Sequence, residues 1–207
     1  LYLNQPEIIQ FFLDKGSKVD VSDSYGWNAL ASVTHWGFEG LVRVLLEAGA
    51  DVKSTSTDKK LSPLHIAKDN IEVARLLLKH GADLNQKSED DETAFDWAIL
   101  KNRPATVNFI LNEAEVQPDV NLPSTLRALR FAVVSGWTDI VRMLLEAGAN
   151  VDTADDNNRT LLSLALPSED ESLVRTVMEY RPNTEIRDNN HNKALHYPRD
   201  VTPLASV

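Results

Sequence analysis

The sequence contains no cysteine, which excludes disulfide bonds and thiolate chemistry as contributors to stability or function. It also contains no run approaching the roughly 18 apolar residues that a transmembrane helix needs, and no charged-then-apolar leader at its start. A chain without cysteine fits a reducing compartment. We therefore expect an intracellular protein, cytoplasmic or nuclear, that is not bound to a membrane.

Catalytic and metal-binding signatures are missing as well. A zinc site needs three or four clustered ligands, whereas the five histidines are scattered along the chain. No glycine-rich phosphate loop follows a strand pattern, and no serine lies in a recognisable nucleophile elbow. The sequence therefore predicts no enzyme activity, no metal and no cofactor.

Positive charge is scarce, because 21 Lys and Arg face 31 Asp and Glu and the formal net charge is −10. An acidic surface repels phosphate backbones and anionic lipid headgroups, which argues against nucleic-acid and membrane partners. A basic protein or peptide is the more natural electrostatic complement.

One short apolar segment is repeated along the chain. Val42–Asp51 recurs in closely similar form at Arg75–Asp83 and at Arg142–Asn150. Successive copies are separated by 32 to 34 residues when counted from the residue that ends each apolar run: Gly16, Gly49, Gly81, Ala114, Gly148 and Arg181. A period this steady predicts stacked supersecondary units, each burying its apolar face against its neighbours.

Two motifs carry a family resemblance. The stretch Ser62–Ala67, Ser-Pro-Leu-His-Ile-Ala, and the stretch Gly81–Asp83, Gly-Ala-Asp, resemble the opening and the close of an ankyrin repeat. The resemblance implies an all-α ankyrin-repeat solenoid of stacked helix-turn-helix units with short β-turn fingers. It implies one monomeric array over residues 1–207, divided as a half repeat 1–20, full repeats at about 21–53, 54–86, 87–119, 120–152 and 153–185, and a partial repeat 186–207. Because the chain starts without Met and stops inside a repeat, we expect a piece of a longer polypeptide.

Some positions depart from the family pattern or receive a structural role from it. The segment Ala114–Pro118 replaces the usual Gly-Ala-Asp close, and we expect the most irregular finger to follow it at 118–126. The family position of Trp97 and Phe131 packs between helices, so both are predicted core residues. The family position of His65 implies a hydrogen-bonding role between fingers.

The family's partner-facing groove lies along the finger tips and the exposed ends of the first helices. Carried onto this chain, that rule selects the aromatic side chains Tyr25, Trp27, His35 and Trp36. On the next two fingers it selects Lys59 and Leu61, then Glu89, Asp90 and Glu92. Exposed Trp and Tyr dominate interface energetics, and carboxylates beside aromatic rings suit a basic or arginine-containing peptide. We therefore predict that a basic partner protein or peptide binds these residues in the concave groove.

Alternatives remain open at this level. The rings could be structural, with Trp36 packed across a repeat interface and Trp27 folded over its own finger. A small-molecule binder or enzyme would use a pocket around His35, Trp36 and Trp27. A structural spacer or self-association segment would need no such surface.

Overall fold

The computed structural model describes residues 5–114, 116–168 and 170–197; residues 1–4 and 198–207 of the predicted end repeats lie outside this set. The regular secondary structure of the described residues is helical, apart from isolated bridges between single residue pairs. The helices are α1 Pro6–Asp14, α2 Ala29–Trp36, α3 Glu39–Glu47, α4 Pro63–Ile66, α5 Ile71–Lys79, α6 Ala94–Leu100, α7 Pro104–Asn112, α8 Pro123–Val134, α9 Thr138–Glu146, α10 Leu161–Ala165 and α11 Glu171–Glu179, followed by a 3₁₀ helix at Ala194–His196.

Polar side chains at helix starts explain where several first helices of the repeats begin. The Asn28 side chain accepts a hydrogen bond from the backbone N–H of Ala31 at 2.8 Å, and Thr160 accepts one from Ser163 at 3.4 Å. In α6, Thr93 and Asp96 form a reciprocal capping box. These caps satisfy backbone donors that a helix leaves unpaired in its first turn.

The chain divides into two compact units, Leu1–Pro118 and Asp119–Val207. In the first unit, the inner helices α2, α4 and α6 pack one against the next, and so do the outer helices α1, α3, α5 and α7. Its fully buried core is formed by large apolar side chains from both rows: Leu30, Leu45, Leu77, Phe95, Ile99 and Ile110. Each such side chain contributes about 1.5–3 kcal/mol by leaving water.

The second unit repeats this pairing with fewer helices. Helix α8 packs against α9 and α10, and α11 packs against α9 and α10. Helix α8 buries Ala128, Leu129, Ala132 and Val133, and this places Phe131 on the opposite face with 47% of its surface exposed. The prediction that Phe131 belongs to the core is therefore wrong, and Trp97 of the first unit is only half-buried.

Short fingers precede most first helices. Each finger is closed by one backbone hydrogen bond between its first and last residues: Asp23–Trp27, Ser56–Leu61 and Ser88–Glu92 in the first unit, and Asp155–Arg159 and Asp188–Asn192 in the second. His65 has the predicted role, because it is buried with Nδ1 against Ser62 and Nε2 3.1 Å from the carbonyl of Glu92 in the next finger. Burial lowers the pKa of its imidazole, which favours the neutral form that can accept at Nδ1 and donate at Nε2.

The segment after α7 differs from its prediction. Three residues, 80–82, separate α5 from Asp83, whereas six, 113–118, separate α7 from Asp119. Asp119 corresponds to Asp83, because each side chain accepts from the backbone N–H two residues later at 2.9 Å. Only three residues then remain before α8 begins, too few for a finger. The irregular finger expected at 118–126 is therefore absent, and its place is taken by the longer α8.

Candidate partner-binding surface

The first finger presents Tyr25 at its tip. The Asp23 carboxylate accepts backbone hydrogen bonds from Tyr25 and Trp27, both at 2.9 Å, and Gly26 turns the chain at a φ of 76°. Left-handed backbone of this kind favours glycine, because a β-carbon crowds the following carbonyl. The turn leaves the Tyr25 side chain 69% exposed.

Neighbouring fingers of the first unit are joined through their backbones. The N–H of Thr57 donates to the carbonyl of Tyr25 at 2.9 Å, and the N–H of Glu89 donates to the carbonyl of Lys59 at 2.9 Å. Because the bonds run main chain to main chain, they fix the spacing of the tips while leaving the side chains of Tyr25, Lys59 and Glu89 exposed to solvent. Leu61 is half-buried and uses its backbone to close the second finger.

Three aromatic side chains form a continuous row between the first finger and the end of α2. The ring centroids of Trp27 and His35 are 5.5 Å apart at 72°, and those of His35 and Trp36 are 5.4 Å apart at 87°. Edge-to-face contacts at this distance are favourable for aromatic quadrupoles. Leu30, Ala31 and Thr34 fill the buried face of α2, so His35 and Trp36 are left towards solvent.

The end of the row lies beside charges of both signs. An open depression of about 580 Å³ adjoins His35 and Trp36, and its far side carries Lys68, Asp69 and Glu72. Partial burial lowers the pKa of His35, and the nearby charges of Lys68 and Arg103 lower it further. His35 therefore favours its neutral form, which can both donate and accept a hydrogen bond.

None of the nine predicted partner-binding residues is buried. Five are exposed, namely Tyr25, Trp36, Lys59, Glu89 and Asp90, and four are half-buried, namely Trp27, His35, Leu61 and Glu92. Trp36 is 70% exposed, so the alternative in which it packs across a repeat interface is wrong. Trp27 contacts His35 with its ring while keeping part of its surface in solvent.

Two structural features of the first unit escaped the sequence reasoning. Lys68 and Arg103 belong to the inter-helix turns of later repeats, far from His35 in sequence, and only the stacking of repeats brings their charges near its imidazole. An alignment of the inter-helix turns, repeat by repeat, could have indicated that Lys68 and Arg103 lie near His35. The second feature is an apolar cavity between α5 and α7, which depends on the unusual loop after α7.

The described part of the chain gives no positive support for a metal site, a membrane-spanning helix or a catalytic centre. Across residues 5–114, 116–168 and 170–197, no group of three His, Asp or Glu side chains is placed to hold a metal ion. Within the same ranges, no helix has the length and apolar content to cross a bilayer. Ser62 Oγ lies 2.8 Å from His65 Nδ1, but both side chains are buried in the capping box that starts α4, away from solvent.

Relatives of known sequence match about three quarters of the chain. Over 169 residues the chain is 29% identical to the Danio rerio protein ZDHHC13, whose name assigns it provisionally to the palmitoyltransferases. The match covers 78% of this chain but only 26% of that protein. The mouse B-cell lymphoma 3 protein homolog is 26% identical over 168 residues, covering 77% of this chain and 38% of the relative. The chain thus spans well under half the length of either relative.

Solved structures agree with the architecture. The ankyrin repeat domain of Bcl-3 superposes with a TM-score of 0.78 at 21% identity, covering 94% of this chain and 88% of that one. An ankyrin repeat domain from Acinetobacter baumannii gives a TM-score of 0.73 at 27% identity, over 86% of this chain and 93% of that one. The predicted fold class, an all-α ankyrin-repeat solenoid, is confirmed. The family model for ankyrin repeats in three copies matches residues 53–122 and 95–190, and the chain therefore belongs to the ankyrin-repeat family.

Proposed function

We propose that this protein binds a partner protein through the first unit, using the finger tips and the aromatic row of Trp27, His35 and Trp36. Ankyrin-repeat domains generally mediate protein–protein interaction, and repeat stacking suits them to it by creating extended binding surfaces. The observation that carries the proposal is the exposure of Trp36 and Tyr25, 70% and 69%, beside two further rings. Large exposed rings have no role in a core, whereas they are favoured anchors of interfaces.

The geometry supports binding with little loss of conformational freedom. The rings of the row restrain one another, and the finger spacing is set by backbone hydrogen bonds. A surface ordered before association loses less entropy when the partner arrives, so a few anchors can supply most of the affinity. A tryptophan in such a position is worth about 2 kcal/mol or more when truncated.

The charges favour a basic partner segment at the finger end of this surface. Glu89 and Asp90 are exposed near the tips, whereas Lys68 and Arg103 lie near His35 at the far end of α2. A lysine or arginine of the partner is therefore better placed near Glu89 than beside His35. The remainder of the partner segment would pack on Trp36 through apolar contact.

The two other functions have less support. The depression beside His35 and Trp36 is open and rimmed by Lys68, Asp69 and Glu72, whereas small-molecule sites are usually enclosed and mainly apolar. A structural spacer has no use for four exposed or half-exposed aromatic side chains. Both alternatives predict that the aromatic row can be removed without loss of a protein partner.

We expect Trp36→Ala to weaken capture of the partner strongly, while stability falls by no more than the loss of one edge-to-face contact with His35. Trp36 is exposed, so its removal costs no core packing, while the loss of an anchor worth about 2 kcal/mol weakens binding about 30-fold. Quantitative proximity labelling in cells would compare wild type with Trp36→Ala. Phe131→Ala, an exposed aromatic truncation in the second unit, is the matched control. Equal capture by all three proteins would exclude the aromatic row and favour the spacer.

We expect Glu89→Lys to weaken the same partner mainly by slowing association. Glu89 is exposed at a finger tip, so reversal of its charge opposes approach of a basic segment, and the effect shrinks as salt screens it. Association rates at low and high salt are the measurement. Glu146→Lys, which reverses an exposed charge at the end of α9 in the second unit, is the control. A partner that binds Glu89→Lys faster than wild type is acidic, and the basic-partner proposal is then wrong even if Trp36 is required.

A further inference from the structure

A second cavity lies on the outer side of the first unit, between α5 and α7. Its volume is about 570 Å³, within the range of roughly 300–1,000 Å³ typical of ligand sites. Apolar side chains dominate the lining: Leu78, Ala82, Leu84, Phe109, Ala114 and Val116. Val116 is 57% exposed, which is unusual for an aliphatic side chain beside an apolar cavity.

The cavity follows from the unusual end of α7. After α3 and α5 the chain turns sharply at the left-handed residues Gly49 and Gly81. After α7 no residue among the described ones of this loop is left-handed, and the N–H of Ala114 returns to the carbonyl of Phe109 at 3.1 Å. The chain then continues through the longer loop that carries Val116. Because the chain does not turn back here at a left-handed residue, as it does after α3 and α5, open space separates the apolar ends of α5 and α7.

The rim of this cavity carries two cations, Arg75 and Lys79, and two carboxylates, Asp83 and Glu113. Arg75 and Lys79 are four residues apart, so they lie on the same face of α5. Arg75 is held over the ring of Phe109 at 5.0 Å and pairs with Glu113 at 2.8 Å. Lys79 is exposed and has no ion pair or hydrogen bond within the described residues. Asp83 accepts the backbone N–H of Asn85 at 2.9 Å and Glu113 is paired with Arg75, so Lys79 is the rim charge left to pair with an anionic group of a ligand.

A polar side chain at the rim points to a peptide rather than a purely apolar ligand. Asn85 lines the cavity, is exposed, and its side-chain amide has no hydrogen-bond partner among the described residues. A free amide can donate to a backbone carbonyl and accept from a backbone N–H at the same time. The volume also exceeds what one side chain needs, so successive apolar side chains of one helical face can enter together.

We propose that this cavity binds an amphipathic peptide segment of a partner, inserting its apolar face over Phe109 and placing a carboxylate against Lys79. The site lies on the outer helices, apart from the finger tips and the aromatic row, and it does not depend on them. The protein would thus hold two partner segments, or two parts of one partner, on different faces of its first unit.

The proposal is tested by selecting phage-displayed random peptides on the full chain and measuring the affinities of the enriched peptides. We expect peptides with apolar residues at helical spacing and a neighbouring Asp or Glu. Val116→Glu should weaken them at least about tenfold, because a charge is placed at the mouth of an apolar cavity. Val134→Glu is the matched control, since Val134 is 55% exposed against 57% for Val116. Equal affinities for both variants would overturn the site.

Charge and ligand class are tested separately. Lys79→Glu should weaken the same peptides several-fold. Lys53→Glu should not, although Lys53 is also exposed and its ammonium group has no partner among the described residues. Trp36→Ala should leave these peptides unaffected, which separates this site from the proposed groove. If the dye anilinonaphthalene sulfonate binds with the same dependence on Val116 while no peptide does, the cavity takes small amphiphiles and the peptide proposal is wrong.

Discussion

Phe95→Ala is expected to lower the free energy of unfolding of the first unit by about 3–5 kcal/mol. Phe95 is 1% exposed and is the largest fully buried side chain among the described residues. It belongs to α6, which packs against both α4 and α7, so the cavity left by the ring would border three helices. Because domains are stable by only about 5–15 kcal/mol, this single change would remove much of that margin.

Phe131→Ala is the control for this experiment. It removes the same ring from a position that is 47% exposed, where the ring contacts Trp137 edge to face at 5.4 Å, and we expect a loss of only about 0.5–1.5 kcal/mol. Repeat arrays need not unfold in one step. The urea unfolding experiment should therefore be combined with a measurement of amide exchange in α6 and α7. Similar losses for the two variants would show that the core of the first unit is not where the structure places it.

Gly26→Ala is expected to cost about 2–3 kcal/mol and to release the first finger from the second. Gly26 has a φ of 76°, a conformation that costs an L-residue about 1–2 kcal/mol. A β-carbon built there would lie 2.7 Å from Cγ2 and 2.8 Å from the backbone N of Thr57. The finger would have to move, and the bond from Thr57 to Tyr25, worth about 1 kcal/mol, would be lost.

Gly49→Ala separates the two causes. Gly49 has a similar φ of 85°, but an added β-carbon would meet no atom within 4 Å, so only the backbone cost applies. Amide exchange at Thr57 should quicken in Gly26→Ala and stay slow in Gly49→Ala. An unchanged exchange rate at Thr57 in both variants would mean that the fingers are not held by this contact.

The repeat period predicted the fold because each unit must bury the same face, and burial leaves a periodic apolar pattern. The same counting misjudged the segment after α7. There the loop is longer by three residues, the segment between Asp119 and α8 is seven residues shorter than its counterpart between Asp83 and α6, and α8 is five residues longer than α6. The three changes nearly cancel in length. A period measures the sum of such changes, so it cannot tell an irregular finger from a missing one.

The site was less accessible to sequence reasoning than the fold. Family positions select Trp27, His35 and Trp36, yet the edge-to-face row they form depends on side-chain placement. The neighbours of His35, Lys68 and Arg103, are brought near by stacking rather than by sequence. Phe131 was misjudged because one residue around a helix changes its direction by about 100°, which turns a core position into a surface one.

The residues that hold the first finger and α2 alternate with those that face outwards. Gly26, Asn28 and Leu30 make the turn, the cap and the core contact, while Tyr25, Trp27 and Trp36 remain at least partly in solvent. Substitution of Tyr25, Trp27 or Trp36 therefore costs little folding stability. Such a division lets a lineage exchange one binding preference for another by drift at the outward positions, without passing through unfolded intermediates.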